Sequence, residues 1–193
     1  MIVLAIDPGT TTGYCLVNIE EDKANIFNYG YIDVDVSSEY QGDHCIYLMK
    51  HIKKLIRKYN VDKICIEDYF FSKKFATGCM CNVAFRTAIH ILARRKQIDY
   101  TIINVALWKK FVAGTSFPNK EQKKKWGKMA KKMYIKDALY RWYGFEFPEK
   151  IISKKSGKYI MFKHDIVDAI AQAVYYCSII CKIPYNNVSM TYL

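Results

Sequence analysis

What this 193-residue chain lacks narrows the field first. Half of it is hydrophobic (51%), yet no run of about eighteen uncharged apolar residues occurs, so no membrane-spanning helix is expected. The N-terminal MIVLAID has no basic leader and meets an aspartate at once. It reads as a first strand rather than a signal peptide. Zinc-type cysteine pairs are missing as well. The seven cysteines lie mostly inside apolar runs, and Cys79-Met80-Cys81 lacks the CxxC spacing of a structural zinc site. They read as reduced packing residues of an intracellular protein. Repeats, long linkers and enough chain for two large lobes are all absent, which leaves one domain with a sizeable core. Acidic residues are scarce: 18 Asp and Glu against 30 Lys and Arg leave a net charge of +12. A basic excess of that size in a small domain points to a polyanionic partner, nucleic acid above all.

What is present has a clear order. Residues 2–7, 13–19 and 25–35 read as strands joined by the turns DPGTTTG and EEDKA. Cys45, Leu48, Ile52, Leu55 and Tyr59 recur at helical spacing. KICIED at 63–68 reads as a fourth strand, 79–96 as a second helix and 100–106 as a fifth strand. A lysine-rich stretch over 119–136 leads into a further helix, 164–182 forms the last one, and the chain from Pro184 looks irregular. The order predicts an α/β fold, a mixed five-stranded sheet flanked by helices, over residues 1–182, with 183–193 as a tail.

Four carboxylates stand at telling places. Asp7 ends the first strand and Glu67 the fourth, while Asp165 and Asp168 open the last helix three residues apart and so on one face. Taken singly, an acid at a strand end is often only solvated, and Asp165 could simply favour a helix N-terminus. Asp168, followed by the apolar AIAQAV, is harder to explain that way. Four converging carboxylates cannot all ionise without cations. Hard divalent ions take such oxygen ligands, and a pair of them about 4 Å apart can drive phosphodiester hydrolysis. His164 reads as a neighbour of this group rather than a ligand. The hairpin DPGTTTG admits two readings, a phosphate cradle for a nucleotide or a small turn that lets a nucleic-acid backbone reach Asp7.

AIDPGTTTGYCLV, ICIEDYF and HDIVDAIAQAV together resemble the RuvC family of Holliday junction resolvases. The resemblance implies a ribonuclease H-like fold and a homodimer that cuts four-way DNA junctions with Mg²⁺ or Mn²⁺. It makes Asp7, Glu67, Asp165 and Asp168 the ligands of two ions. KKFVAGTSFPNK matches the family's lysine–glycine–lysine spacing at Lys109, Gly114 and Lys120, and the two lysines, Lys109 and Lys120, would contact phosphate near the cut. Phe70 stands where the family carries an aromatic, and with Lys73 and Lys74 it would meet unstacked bases at the junction centre. Helix 79–96 would be the dimer surface. The opening motif also occurs in the sugar kinase, actin and Hsp70 superfamily, but those ATPases need two lobes and lack the late acid pair. The long basic segment, Lys123, Lys124 and Lys125 included, and the lysine bias point to a phage or viral branch. The sequence thus reads as a metal-dependent nuclease for branched DNA, in a bacterial cytoplasm or an infected cell. A ribonuclease H for RNA–DNA hybrids and an inactive junction-binding protein are the alternatives.

Overall fold

The computed structural model describes residues 1–34, 39–68, 76–152 and 157–191, with backbone alone for 76–79. Strands β1 (Ile2–Asp7), β2 (Thr11–Glu20) and β3 (Lys23–Asp33) form an antiparallel meander. Helix α1 (Gln41–Tyr59) crosses to β4 (Lys63–Glu67), and α2 (Ala76–Arg95) crosses to β5 (Asp99–Ile103). Both strands add in parallel on the far side of β1. Helices α3 (Val105–Ala113), α4 (Lys120–Trp126) and α5 (Ala130–Tyr143) follow, then a hairpin of β6 (Lys150–Ile152) and β7 (Tyr159–Met161), helix α6 (His164–Tyr175) and strand β8 (Val188–Met190). The main sheet runs β5-β4-β1-β2-β3-β8.

The two faces of the sheet are both apolar, as strands buried on both sides must be. Leu4, Ile6, Leu16, Ile64 and Ile66 point one way and pack with Leu48 and Ile52 of α1 and Phe85 and Ile89 of α2. Val3, Ala5, Cys15, Val17 and Cys65 point the other way, against Trp108 of α3, Ile135 and Leu139 of α5, and Ile166 and Ile170 of α6. The result is three layers, helix–sheet–helix. No helix of the described residues is long and apolar enough to cross a membrane.

The expected α/β architecture is present, with corrections. The main sheet has six strands, not five. The tail supplies the sixth: Val188–Met190 pairs in parallel with Ala24, Asn25 and Ile26 of β3, and the Thr191 N–H donates to the Ile26 carbonyl at 2.8 Å. Three residues are too few to show a period-two pattern, so the tail looks irregular until the open edge of β3 is known. The fifth strand stops at Ile103, because the Asn104 side chain accepts from the N–H groups of Ala106 and Leu107 and starts α3 there. Gly127, at positive φ, splits the lysine-rich segment into α4 and α5. The last helix loosens into a π turn at Tyr176–Ile180.

Candidate active site

The strand alternation decides where the acids go. Val3 and Ala5 face the α6 side, so Asp7, two residues on, faces it too. Cys65 and Glu67 follow the same rule on β4. Ile6 pairs with Ile66 in the parallel register, so Asp7 and Glu67 leave the sheet side by side at the carboxyl ends of neighbouring strands. In open α/β sheets that is where ligand crevices form.

Helix α6 brings the other two carboxylates. Its first turn lies over the sheet at Gly13, the β2 residue paired with Asp7. A Cβ on Gly13 would stand 1.9 Å from the Asp165 carbonyl oxygen and 2.9 Å from the Ile166 nitrogen. Only a glycine lets the helix backbone come this close. Gly13 therefore serves the approach of α6, where the sequence had suggested the approach of a phosphate. The neighbouring hydroxyls are engaged inside the protein as well. Thr12 donates to the Gly9 carbonyl at 2.7 Å and Thr11 to Asp33 at 3.1 Å.

The four carboxylates feel one another. Burial pushes Asp7 well above the usual carboxylate range, and the Glu67 charge, a hydrogen bond shared with Glu67, Asp168 and Asp165 push it further. Asp168 is raised to about 7, first by burial and then by Glu67 and Asp165, with Lys109 and Lys132 pulling the other way. Asp165 is raised by burial against Lys132 and Lys163. Among the described residues no three acidic, His or Cys side chains are already closed into a metal cage; the Asp7 and Glu67 carboxyl groups lie within hydrogen-bond reach of each other instead. An all-oxygen cluster this short of positive charge fits hard divalent cations.

The surroundings sort the remaining candidates. Asp68, next to Glu67, forms an ion pair with Arg86 of α2 and stays out of the cluster. Lys109 lies beside Asp168, with its ammonium 5.0 Å from the Trp108 ring centre. Lys120 opens α4 on the exposed surface, where Lys123, Lys124 and Lys125 are exposed too. The charges that reach Asp165 and Asp168 come from Lys109, Lys132 and Lys163. Burial, with Lys132 and Lys136 nearby, holds His164 down at about 4, and its Nδ1 is buried without a partner. Phe70, Lys73 and Lys74 lie outside the described residues.

Three residues went unread in the sequence. Trp108, fully buried, donates from Nε1 to the Glu67 carboxylate at 2.9 Å and fixes its rotamer. Tyr134, also buried, lies near Asp168 and Glu67 and donates to the Ser116 carbonyl at 3.0 Å. Lys132 sits within the lysine run but is turned toward the acids. Nothing in their sequence spacing distinguishes them from core aromatics or a solvated lysine.

Residues 3–136 match the model of the family described as crossover junction endodeoxyribonuclease RuvC. The chain belongs to the RuvC family. A relative of that name from Dictyoglomus thermophilum is 32% identical over 123 residues, covering 63% of this chain and 77% of its own. Another, from Ruminiclostridium cellulolyticum, is 33% identical over 110 residues, covering 54% of this chain and 64% of its own. The fold is shared with T. thermophilus RuvC, solved with a Holliday junction substrate (TM-score 0.60, 16% identity, 90% of each chain). It is shared also with Fowlpox virus resolvase, solved with Holliday junction DNA (TM-score 0.55, 12% identity, 92% of this chain and 97% of that one). The family match ends before α6. Within this RuvC-family chain, Asp165 and Asp168 are therefore placed at the site by geometry alone.

Proposed function

We propose that this RuvC-family enzyme is a divalent-metal-dependent endonuclease that cuts four-way and related branched DNA. It leaves 5′-phosphate and 3′-hydroxyl ends. The observation that carries the proposal is the docking of α6 across Gly13, which gathers Asp165 and Asp168 with Asp7 and Glu67. Those four residues would hold Mg²⁺, two ions by family resemblance, with Mn²⁺ as a substitute. Bound there, the ions would supply the Lewis acidity for phosphodiester hydrolysis.

The chain's own residues prepare that chemistry. Trp108 keeps Glu67 aimed at Asp7. Lys109 and Lys132 offset the acid charge at Asp168 and present ammonium groups to a passing phosphate. The exposed lysines of α4, Lys120 included, hold the flanking duplex arms through charge. Phe70, with Lys73 and Lys74, would separate bases at the crossover. A homodimer joined through α2 would place two sites on a two-fold symmetric junction. The reduced cysteines suit an intracellular setting.

The test is a substrate panel: four-way, three-way, flap, duplex and RNA–DNA hybrid, each with and without Mg²⁺. Cleavage of the junction ahead of the hybrid, only with the cation, is expected. Asp7→Asn and Asp168→Asn should each lose cleavage by a factor on the order of a thousand or more while still binding the junction. Preferential cutting of the hybrid would establish the ribonuclease H alternative. Binding without cutting under any metal would leave an architectural protein.

A further inference from the structure

Helices α4 and α5 and the segment after them enclose a cleft that the nuclease reading does not use. Its volume is about 430 Å³, and its walls include Lys125, Trp126, Lys136, Tyr140, Phe145 and Phe147. The cleft follows from the local sequence. Gly144, in the left-handed conformation, stops α5. The chain turns back and buries Phe145 and Phe147 as a floor. Trp126, the last residue of α4, and Tyr140, 56% exposed, also line it.

The cations sit over these rings. The Lys125 ammonium is 4.9 Å from the Trp126 ring centre. That of Lys136 is 5.9 Å from the ring centres of both Phe147 and Phe162. Two acids also border the cleft, but Asp137 is held by Arg141 at 2.7 Å and Glu146 lies at the exposed edge. The place matters as much as the lining. Phe162 precedes α6 by two residues, and Lys136 is close enough to act on His164 at the head of that helix. The cleft and the carboxylates are neighbours.

Flat apolar rings with ammonium groups above them suit a planar aromatic ligand that carries an anion. A base pair inside a duplex hides its faces, whereas an unpaired base exposes them and its backbone brings the phosphate. The volume lies in the range of sites that take one small molecule, and the chain's excess of positive charge favours a nucleic-acid occupant over a peptide. We propose that this cleft binds a single unpaired nucleotide of a branched DNA substrate. The base stacks between Trp126 and Tyr140, and the phosphate lies between Lys125 and Lys136. The proposal rests on the nuclease reading for the identity of the DNA, and it adds a recognition site for unpaired bases beside the cut.

The experiment titrates the full chain, without divalent cation, into a single-stranded oligonucleotide carrying 2-aminopurine and into the same sequence fully paired. Binding should quench the single strand's fluorescence. Tyr140→Ala should weaken single-strand binding about tenfold, as removal of one stacking ring does, and leave duplex binding within about twofold. Lys136→Gln, a milder change, should shift in the same direction. Equal losses on both DNA forms, or no loss in either variant, would overturn the proposal. Junction cleavage with Mg²⁺ separates the two readings. If the single-strand result holds while wild type cuts nothing, the cleft stands and the nuclease falls. If wild type cuts and both variants bind the single strand normally, the nuclease stands and the cleft falls.

Discussion

A methyl group at position 13 would meet the Asp165 carbonyl oxygen at 1.9 Å, far inside any van der Waals separation. Both partners are main chain, one in β2 and one in α6, so neither can swing aside. Gly13→Ala should therefore lift the first turn of α6 off the sheet. We expect a stability loss of about 2 kcal/mol or more, read as a melting temperature lower by several degrees, together with loss of cleavage. Gly42→Ala in α1, whose Cβ would touch nothing within 4 Å, should be neutral or slightly stabilising. A Gly13→Ala protein with normal melting and normal cutting would show that the notch does not position α6. At this scale the sequence was informative about Asp7, Glu67, Asp165 and Asp168, because strand ends and an i, i+3 pair are local patterns. It was silent on Trp108, whose indole reaches a Glu67 that lies 41 positions away in sequence and is brought near only by the tertiary fold. It misassigned Gly13 because a glycine in a hairpin looks the same whether it admits a phosphate or a helix.

At the scale of elements, α4 shows how a charge run becomes a binding surface. Asn119 and Gln122 form a reciprocal cap, which holds a short helix with no fully buried residue and only Trp126 packed against the core. Its lysines thus project from an ordered frame. Replacing Lys123, Lys124 and Lys125 together by glutamine should weaken binding to every DNA form. It should also lower the log–log salt slope by roughly 0.9 for each duplex phosphate no longer neutralised. An unchanged slope, measured by titration at several salt concentrations, would mark the run as a solvated face. Long elements with a regular period, such as α1 and the first three strands, were legible in advance, as were the short apolar strands β4 and β5. Other elements were not. Helix α3 was masked by the apolar continuity of β5, which breaks only at the Asn104 cap. Strands β6, β7 and β8 have three residues each, too few to show a period, and β8 owes its existence to a partner distant in sequence, β3.

At the scale of the whole molecule, the gathered acids tie stability to pH. Asp7, Asp165 and Asp168 all hold protons more tightly folded than unfolded. Their contribution to stability is full below the unfolded value of 3.8 and is lost as pH rises through the folded values, about 7 for Asp168. In the presence of a chelator the melting temperature should fall between about pH 5.5 and about pH 8. Mg²⁺ should restore more of it at the higher pH than at the lower, since it binds the charged cluster. The net charge of the chain adds its own pH trend, so the informative quantity is the difference from Asp168→Asn. That variant should be the more stable protein near pH 8 without metal and should gain little from Mg²⁺. If wild type and variant run parallel across the range, the carboxylates are not coupled as the geometry requires.

The packing of α6 on Gly13 also sets an order in time. On the ribosome the first hairpin is made well before α6, and its notch stays vacant until that helix emerges. Two of the four acids arrive only with α6. A nascent chain that has not yet reached this helix cannot hold the full set, so the proposed nuclease site cannot assemble before α6 is made.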